Sequence, residues 1–295
     1  TLKNDRSFVL ATIKIDGRNL RFAKNFLKDR EIVKAAVSQN GFALFEADKD
    51  LQMDPELILT AVTQNGLVLE HIDNIFRENR EIVRRAVTQN VKALEFANTI
   101  FYNDFDIMMA AVAQDGLLLG HVPEILADDQ NLVLKAVSQN GLALRFASKR
   151  LRDIRDIILV AVIQNGLALE FAHTRWSSNR EVVMKAVTQN GLALEHADFH
   201  FRYDDKEVVK TAVTQNGLAL KFVDDDLKDD QEIILAAVSQ NGLALRLAPE
   251  KFRCDLTVCE AAVKQNCGIY SEIDKSIQGD PRILSATAQS LAPVM

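Results

Sequence analysis

The sequence predicts an all-α fold: an α-α superhelix (solenoid) of about eleven 25-residue helix-turn-helix repeats, filling residues 1–295 as a single helical repeat array. Three observations predict it. The triplet Gln-Asn-Gly recurs at nearly constant spacing, an Asp or Asn stands ten residues before almost every Gln, and the apolar residues between them fall at helical spacing.

The triplet begins at Gln39, Gln64, Gln139, Gln164, Gln189, Gln215 and Gln240, with variants at Gln89-Asn90-Val91, Gln114-Asp115-Gly116 and Gln265-Asn266-Cys267. Successive Gln residues are 25 apart except Gln189 and Gln215, which are 26 apart. Degenerate copies, with Ile15 and Ser290 in the Gln place, extend the array to twelve leading helices. Nothing resembling a second domain is left over.

Counting from the Gln as zero, the elements follow in order. Position −10 holds Asp5, Asp29, Asp54, Asn79, Asp104, Asp129, Asn179, Asp205, Asp230, Asp255 and Asp280, side chains whose oxygen caps the free N–H groups of a helix start. Pro55 and Pro281 follow at the first helical position, where proline fits. An acid at −8, such as Glu31, Glu56 or Glu232, sits where the helix dipole favours it. Apolar residues at −7, −6, −3 and −2, as in Ile32, Val33, Ala36 and Val37, form one helix face. The Gly at +2 is expected to end this helix in the left-handed conformation. A short second helix is expected from +3 to +8, then a loop with a large apolar anchor at +12, Trp176 among them. The extra residue before Gln215 is expected in that loop, near Tyr203. One repeat is too small to offset its own ordering, so each must bury its flanks against its neighbours.

Composition narrows the function. A net charge of −6 and a pI near 5.5 argue against a surface that tracks phosphates, so nucleic acid is an unlikely partner. No apolar stretch approaches the 18 or so residues of a membrane helix, so no membrane insertion is expected, and no signal-peptide pattern opens the chain. Three cysteines, Cys254, Cys259 and Cys267, suit a reducing, cytoplasmic setting better than a disulfide framework. An opening Thr1 rather than Met reads as a processed form or an excised segment.

The motif Glu-Ile-Val, then Ala-Val-x-Gln-Asn-Gly-Leu-Ala-Leu-x-Phe-Ala, resembles the repeats of the domain-of-unknown-function 4116 family. Asp129 to Leu151 and Asn179 to Ala197 lie close to its pattern, and the likeness covers nearly the whole chain. The family's module is about two of these repeats. The resemblance implies a repeat array, and it brings no catalytic residues. Val91, Cys267 and Asp115 depart from the pattern.

Two amide ladders stand out: Gln39, Gln64, Gln139, Gln164, Gln189, Gln215 and Gln240, each followed by its Asn (Asn40, Asn65, Asn140, Asn165, Asn190, Asn216 and Asn241). A polar row could grip a peptide backbone, yet identical residues in each repeat suit a structural duty, pairing turn backbone of the adjacent repeat. His71, His121 and His196 at +7 lie repeats apart and cannot share a metal ion. The cysteines are spaced five and eight apart, unlike zinc ligands, and read as packing thiols. No catalytic constellation, metal site or cofactor is expected.

What varies is the better guide to a partner. Position +6 changes charge along the chain (Glu70, Glu95, Arg145, Glu170, Glu195, Lys221, Arg246), and Val160 and Ile163 are apolar where other repeats are polar. Loops add a basic patch (Lys149, Arg150, Arg152, Arg155) and an acidic one (Asp224, Asp225, Asp226, Asp229, Asp230). The reading is a non-catalytic scaffold binding a protein or peptide partner along one face. The alternatives are a substrate-recognition arm of a larger enzyme or an RNA-binding repeat array.

Overall fold

The computed structural model describes residues 5–291, and among these it contains α and 3-10 helices and no strand. The fold is an all-α repeat array. It forms two compact units, Thr1–Lys135 and Ala136–Met295, whose boundary falls inside the helix Gln130–Gln139.

In the first unit the leading helices are Arg6–Ile15, Arg30–Gln39, Pro55–Gln64, Arg80–Gln89 and Phe105–Val112. In the second they are Arg155–Gln164, Arg180–Gln189, Lys206–Gln215, Gln231–Gln240, Leu256–Gln265 and Pro281–Leu291. With Gln130–Gln139 these make the twelve that the spacing predicts. The caps act as their chemistry requires. Asp29 Oδ1 accepts from the N–H groups of Glu31 and Ile32, and Asp255 Oδ1 from Thr257 and Val258. The helix Arg155–Gln164 has Ile154 in the cap place and no side-chain cap.

The apolar stripe is the core. In nearly every repeat the side chains at −7, −6, −3 and −2 are sealed from solvent, as with Ile58, Ala61, Ile158 and Val162. Small residues on the stripe let each leading helix lie close to the next. Behind them runs a second row, in which the short segments also stack on one another within each unit.

Four expectations need correction. The short segment is a 3-10 helix from +2 to +7, as in Gly41–Glu46 and Gly166–Phe171. Six residues at roughly 2 Å rise span roughly 12 Å, close to the roughly 15 Å of a ten-residue α-helix, so the longer rise per residue lets a shorter segment keep pace with the leading helix. The stretch after it is not a loop. It holds a helical turn such as Asp225–Lys228 or Thr174–Ser177, capped by Asp224 and His173. The extra residue before Gln215 lengthens this turn to Phe199–Tyr203 rather than entering a loop. Finally, no described residue, glycine included, has positive φ. The turn glycine is needed for closeness instead: a Cβ on Gly41 would lie 2.6 Å from the carbonyl oxygen of Ala61.

Val91 shows how the array answers a larger residue at that place. The facing helix, Phe105–Val112, stops two residues earlier than its equivalents and tightens at its end, where the Gln114 N–H donates to the Ala111 carbonyl. The anchors at +12 divide. Phe101, Leu151, Trp176, Phe201 and Phe252 are buried, Trp176 being 7% exposed, while Leu27, Leu51, Phe76, Leu126, Leu227 and Ile277 are half-buried.

Candidate functional site

The Gln ladder clamps neighbouring repeats. Gln64 Oε1 accepts from the Gly41 N–H at 2.6 Å, and its Nε2 donates to the Gln39 carbonyl at 3.1 Å. Gln164 does the same with Gly141 and Gln139, Gln189 with Gly166 and Gln164, and Gln215 with Gly191 and Gln189. Gln240 accepts from Gly217. Each amide thus satisfies a turn donor, and most also a turn acceptor, in the preceding repeat. Where Val91 replaces glycine, the bond that its N–H donates to Gln114 Oε1 lengthens to 3.1 Å, and Gln114 Nε2 donates to the Val87 carbonyl instead.

The Asn ladder serves its own repeat instead. Asn40, Asn65, Asn140, Asn165, Asn190, Asn216 and Asn241 end the leading helix in extended conformation and cap the 3-10 helix through Oδ1, as Asn165 does to the Leu167 N–H. A short polar side chain with a β-region backbone is what such a cap needs.

A third ladder escaped the sequence reading. The cation at −9, directly after the cap, reaches the cap and the −8 acid of the following repeat. Arg30 pairs with Asp54 at 2.8 Å and Glu56 at 2.5 Å, Arg80 with Asp104 and Asp106, Arg180 with Asp205 and Glu207, and Lys206 with Asp230 and Glu232. The recurrence of Arg or Lys at −9 beside an acid-x-acid pattern was the available signal. These bonds hold the carboxyls of Asp29, Asp54 and Asp230 below the usual carboxylate range, through Arg6, Arg30 and Lys206 respectively.

The varying residues are left to solvent. Glu70, Glu95, Arg145, Glu170, Glu195 and Lys221 are all exposed on the 3-10 helices of their repeats. Arg145 stands over the rings of Phe146 and Phe171 at 5.0 and 5.7 Å, and Lys221 over Phe222 at 4.3 Å. Val160 is half-buried and Ile163 is 57% exposed, both on a leading helix rather than on a 3-10 helix. The fold therefore separates these two from the charged set.

The loop patches behave differently from each other. Much of the acidic run is engaged: Asp225 pairs with Lys228, Asp229 with Lys251 and Asp230 with Lys206. In the basic run Arg155 pairs with Glu181, while Lys149 and Arg152 line an open recess of 240 Å³ with Phe171, His173 and Thr174.

The histidines and cysteines keep apart. His71 lies against Phe42 and Phe45, and His121 against Tyr102. Cys259 is buried, its thiol donating to the carbonyls of Phe252 and Arg253, and burial pushes its pKa up to about 12. Among the described residues no group of three His, Cys, Asp or Glu side chains is placed to hold a metal ion, and no helix is long and apolar enough to cross a membrane.

Comparison with known proteins gives one family. The model described as a domain of unknown function, DUF4116, matches residues 2–52, 54–102, 104–152, 154–202, 205–253 and 230–278. Each match spans two of the 25-residue repeats. No curated protein and no solved structure matches the chain. The matches cover most of the sequence, and the chain belongs to the DUF4116 family.

Proposed function

We propose that the chain is a non-catalytic scaffold that binds a protein or peptide partner through the exposed face of its 3-10 helices. One observation carries the reading. The recurring residues are consumed by caps, core and ladders, whereas the varying +6 side chains Glu70, Glu95, Arg145, Glu170, Glu195 and Lys221 all stand exposed on the 3-10 helices of their repeats. A repeated frame with a changing charged surface offers area and electrostatic complementarity, which give specificity and association rate. Catalysis needs groups converging within hydrogen-bond reach of one another. The +6 side chains do not converge, because each belongs to a different repeat. The amides of Gln64, Gln164, Gln189 and Gln215 are unsuited to reading a partner, since both polar atoms of each are already paired across repeats.

The test is a triple charge reversal, Arg145→Glu with Glu170→Lys and Glu195→Lys. Binding of the protein captured by the native chain should fall at least tenfold, while the melting temperature stays within a few degrees, because exposed charges contribute little to stability. Undiminished capture by the variant would remove the 3-10 helices as the binding surface. Salt-sensitive binding of single-stranded RNA at physiological ionic strength would overturn the protein-partner reading.

A further inference from the structure

We infer that the recess between Lys149, Arg152, Phe171, His173 and Thr174 binds the phosphate of a phosphorylated side chain on a protein partner. The inference rests on the protein-binding reading and names the chemistry of one contact.

Many cations of this chain are tied to carboxylates, though others, such as Arg145 and Lys221, stand exposed without one among the described residues. The cations at −9 are held by acids of the next repeat, and beside the recess Arg155 is held by Glu181 and Arg175 by Asp153, at 2.5 Å. Lys149 and Arg152 have no carboxylate partner and no side-chain hydrogen bond among the described residues, although the chain as a whole is acidic, at −6. Two cations left unpaired side by side raise the local potential for an anion.

Arg152 supplies the second, independent observation. Its Nε–H is buried and has no acceptor. At the same repeat position Gln52, Arg77 and Gln278 fold back to donate to carbonyls of their own repeat. Arg152 makes no such bond, and neither do Arg202 and Arg253 at that position, but Arg152 lines the recess against the next repeat. An arginine cannot shed its proton, so a buried N–H without an acceptor marks a place for one.

The shape selects among anions. A recess of 240 Å³ admits a phosphate and the stem that carries it. A phosphomonoester brings about two negative charges and three acceptor oxygens, matching Lys149, Arg152 and the Thr174 hydroxyl. The Phe171 ring forms an apolar wall suited to a side-chain stem, and Arg145 stands over the same ring, 5.7 Å from its centre. The nearby carboxylate of Asp153 has Arg175 Nε at 2.5 Å and His173 Nδ1 at 3.6 Å, although its buried Oδ1 accepts no hydrogen bond. Nucleic acid is disfavoured, because one isolated recess is not the charged groove with successive stacking rings that a strand requires.

The experiment uses the whole chain and a fluorescein-labelled nine-residue peptide of Gly and Ala with one central phosphoserine, read by anisotropy at physiological ionic strength. Saturable binding at least tenfold tighter than to the serine peptide is expected. Lys149→Met and Arg152→Met should each cut that affinity at least tenfold, and Arg253→Met, at the same repeat position elsewhere, should leave it unchanged. Lys149 is exposed, so its variant keeps the test meaningful if Arg152→Met fails to fold. Equal affinity for both peptides, no binding of either, or tighter binding of an oligouridylate would overturn the site. A protein partner lost on the triple charge reversal, yet held equally by the native chain and Lys149→Met, would overturn the phosphate site and leave the scaffold reading standing.

Discussion

At the scale of the residue, one amide does what a whole loop does in other folds. Gln164 accepts from the Gly141 N–H and donates to the Gln139 carbonyl, while Asn165 caps the Leu167 N–H of its own repeat. Replacing Gln164 with Leu leaves a part-buried donor and a carbonyl unpaired across a repeat junction. The expected loss is about 1–3 kcal/mol in urea unfolding, with a similar loss for Asn165→Ala. A variant that melts as the native chain does but loses its partner would show that the ladder reads a ligand rather than holding the stack. The ladder was visible in the sequence, and so was the reason for it. The division of labour was not, because spacing alone does not say which repeat an amide faces.

At the scale of the element, each leading helix is tied to the next by its first turn. The carboxyl of Glu232 is held down to about 2 from an ordinary 4.5, first by its bond from Lys206 and then by Lys210. A carboxyl depressed in the folded chain stabilises it fully above about pH 4.5, and that contribution is lost as the pH falls towards 2. Glu232→Gln should therefore lower the melting temperature slightly at pH 7 and flatten its decline across that acid window. Equal slopes for the two proteins would mean that the pair does not couple to folding. Added salt should shrink the difference at neutral pH, since the pair is exposed. The helical turn at +10 to +13 belongs to this scale too. Its cap was present in the sequence as Asp48, Asp73, Asp198, Asp224 and Asp274, but a four-residue helix is too short for a periodic signal.

At the scale of the whole molecule, each repeat leans on its neighbours within its unit, so the array has a natural unit of removal. Deleting the 25 residues 155–179 joins Ile154 to Arg180 in phase and restores every junction type. That variant should keep the helical signal per residue and unfold cooperatively, a few degrees lower. Deleting twelve residues from the same place should abolish cooperative unfolding, because it sets a stripe of apolar side chains against the wrong partners. Collapse of the in-phase variant would contradict nearest-neighbour stacking.

What the sequence by itself determined was whatever depends on neighbours along the chain. Twelve leading helices, their Asp and Asn caps, their apolar stripe and their repeat period all follow from spacing and local chemistry, because a cap or a helix face needs only residues a few places apart. Only the tertiary structure decided what depends on the next repeat. It made the second segment a 3-10 helix to match the length of the helix it backs. It required glycine at +2 for the close approach of the next helix's carbonyl rather than for a left-handed turn. It paired the −9 cations across repeats, split Val160 and Ile163 from the charged +6 set, and left Lys149 and Arg152 unpaired at one recess. These are distances between residues some 25 places apart in the chain, and such distances are set by how the repeats stack.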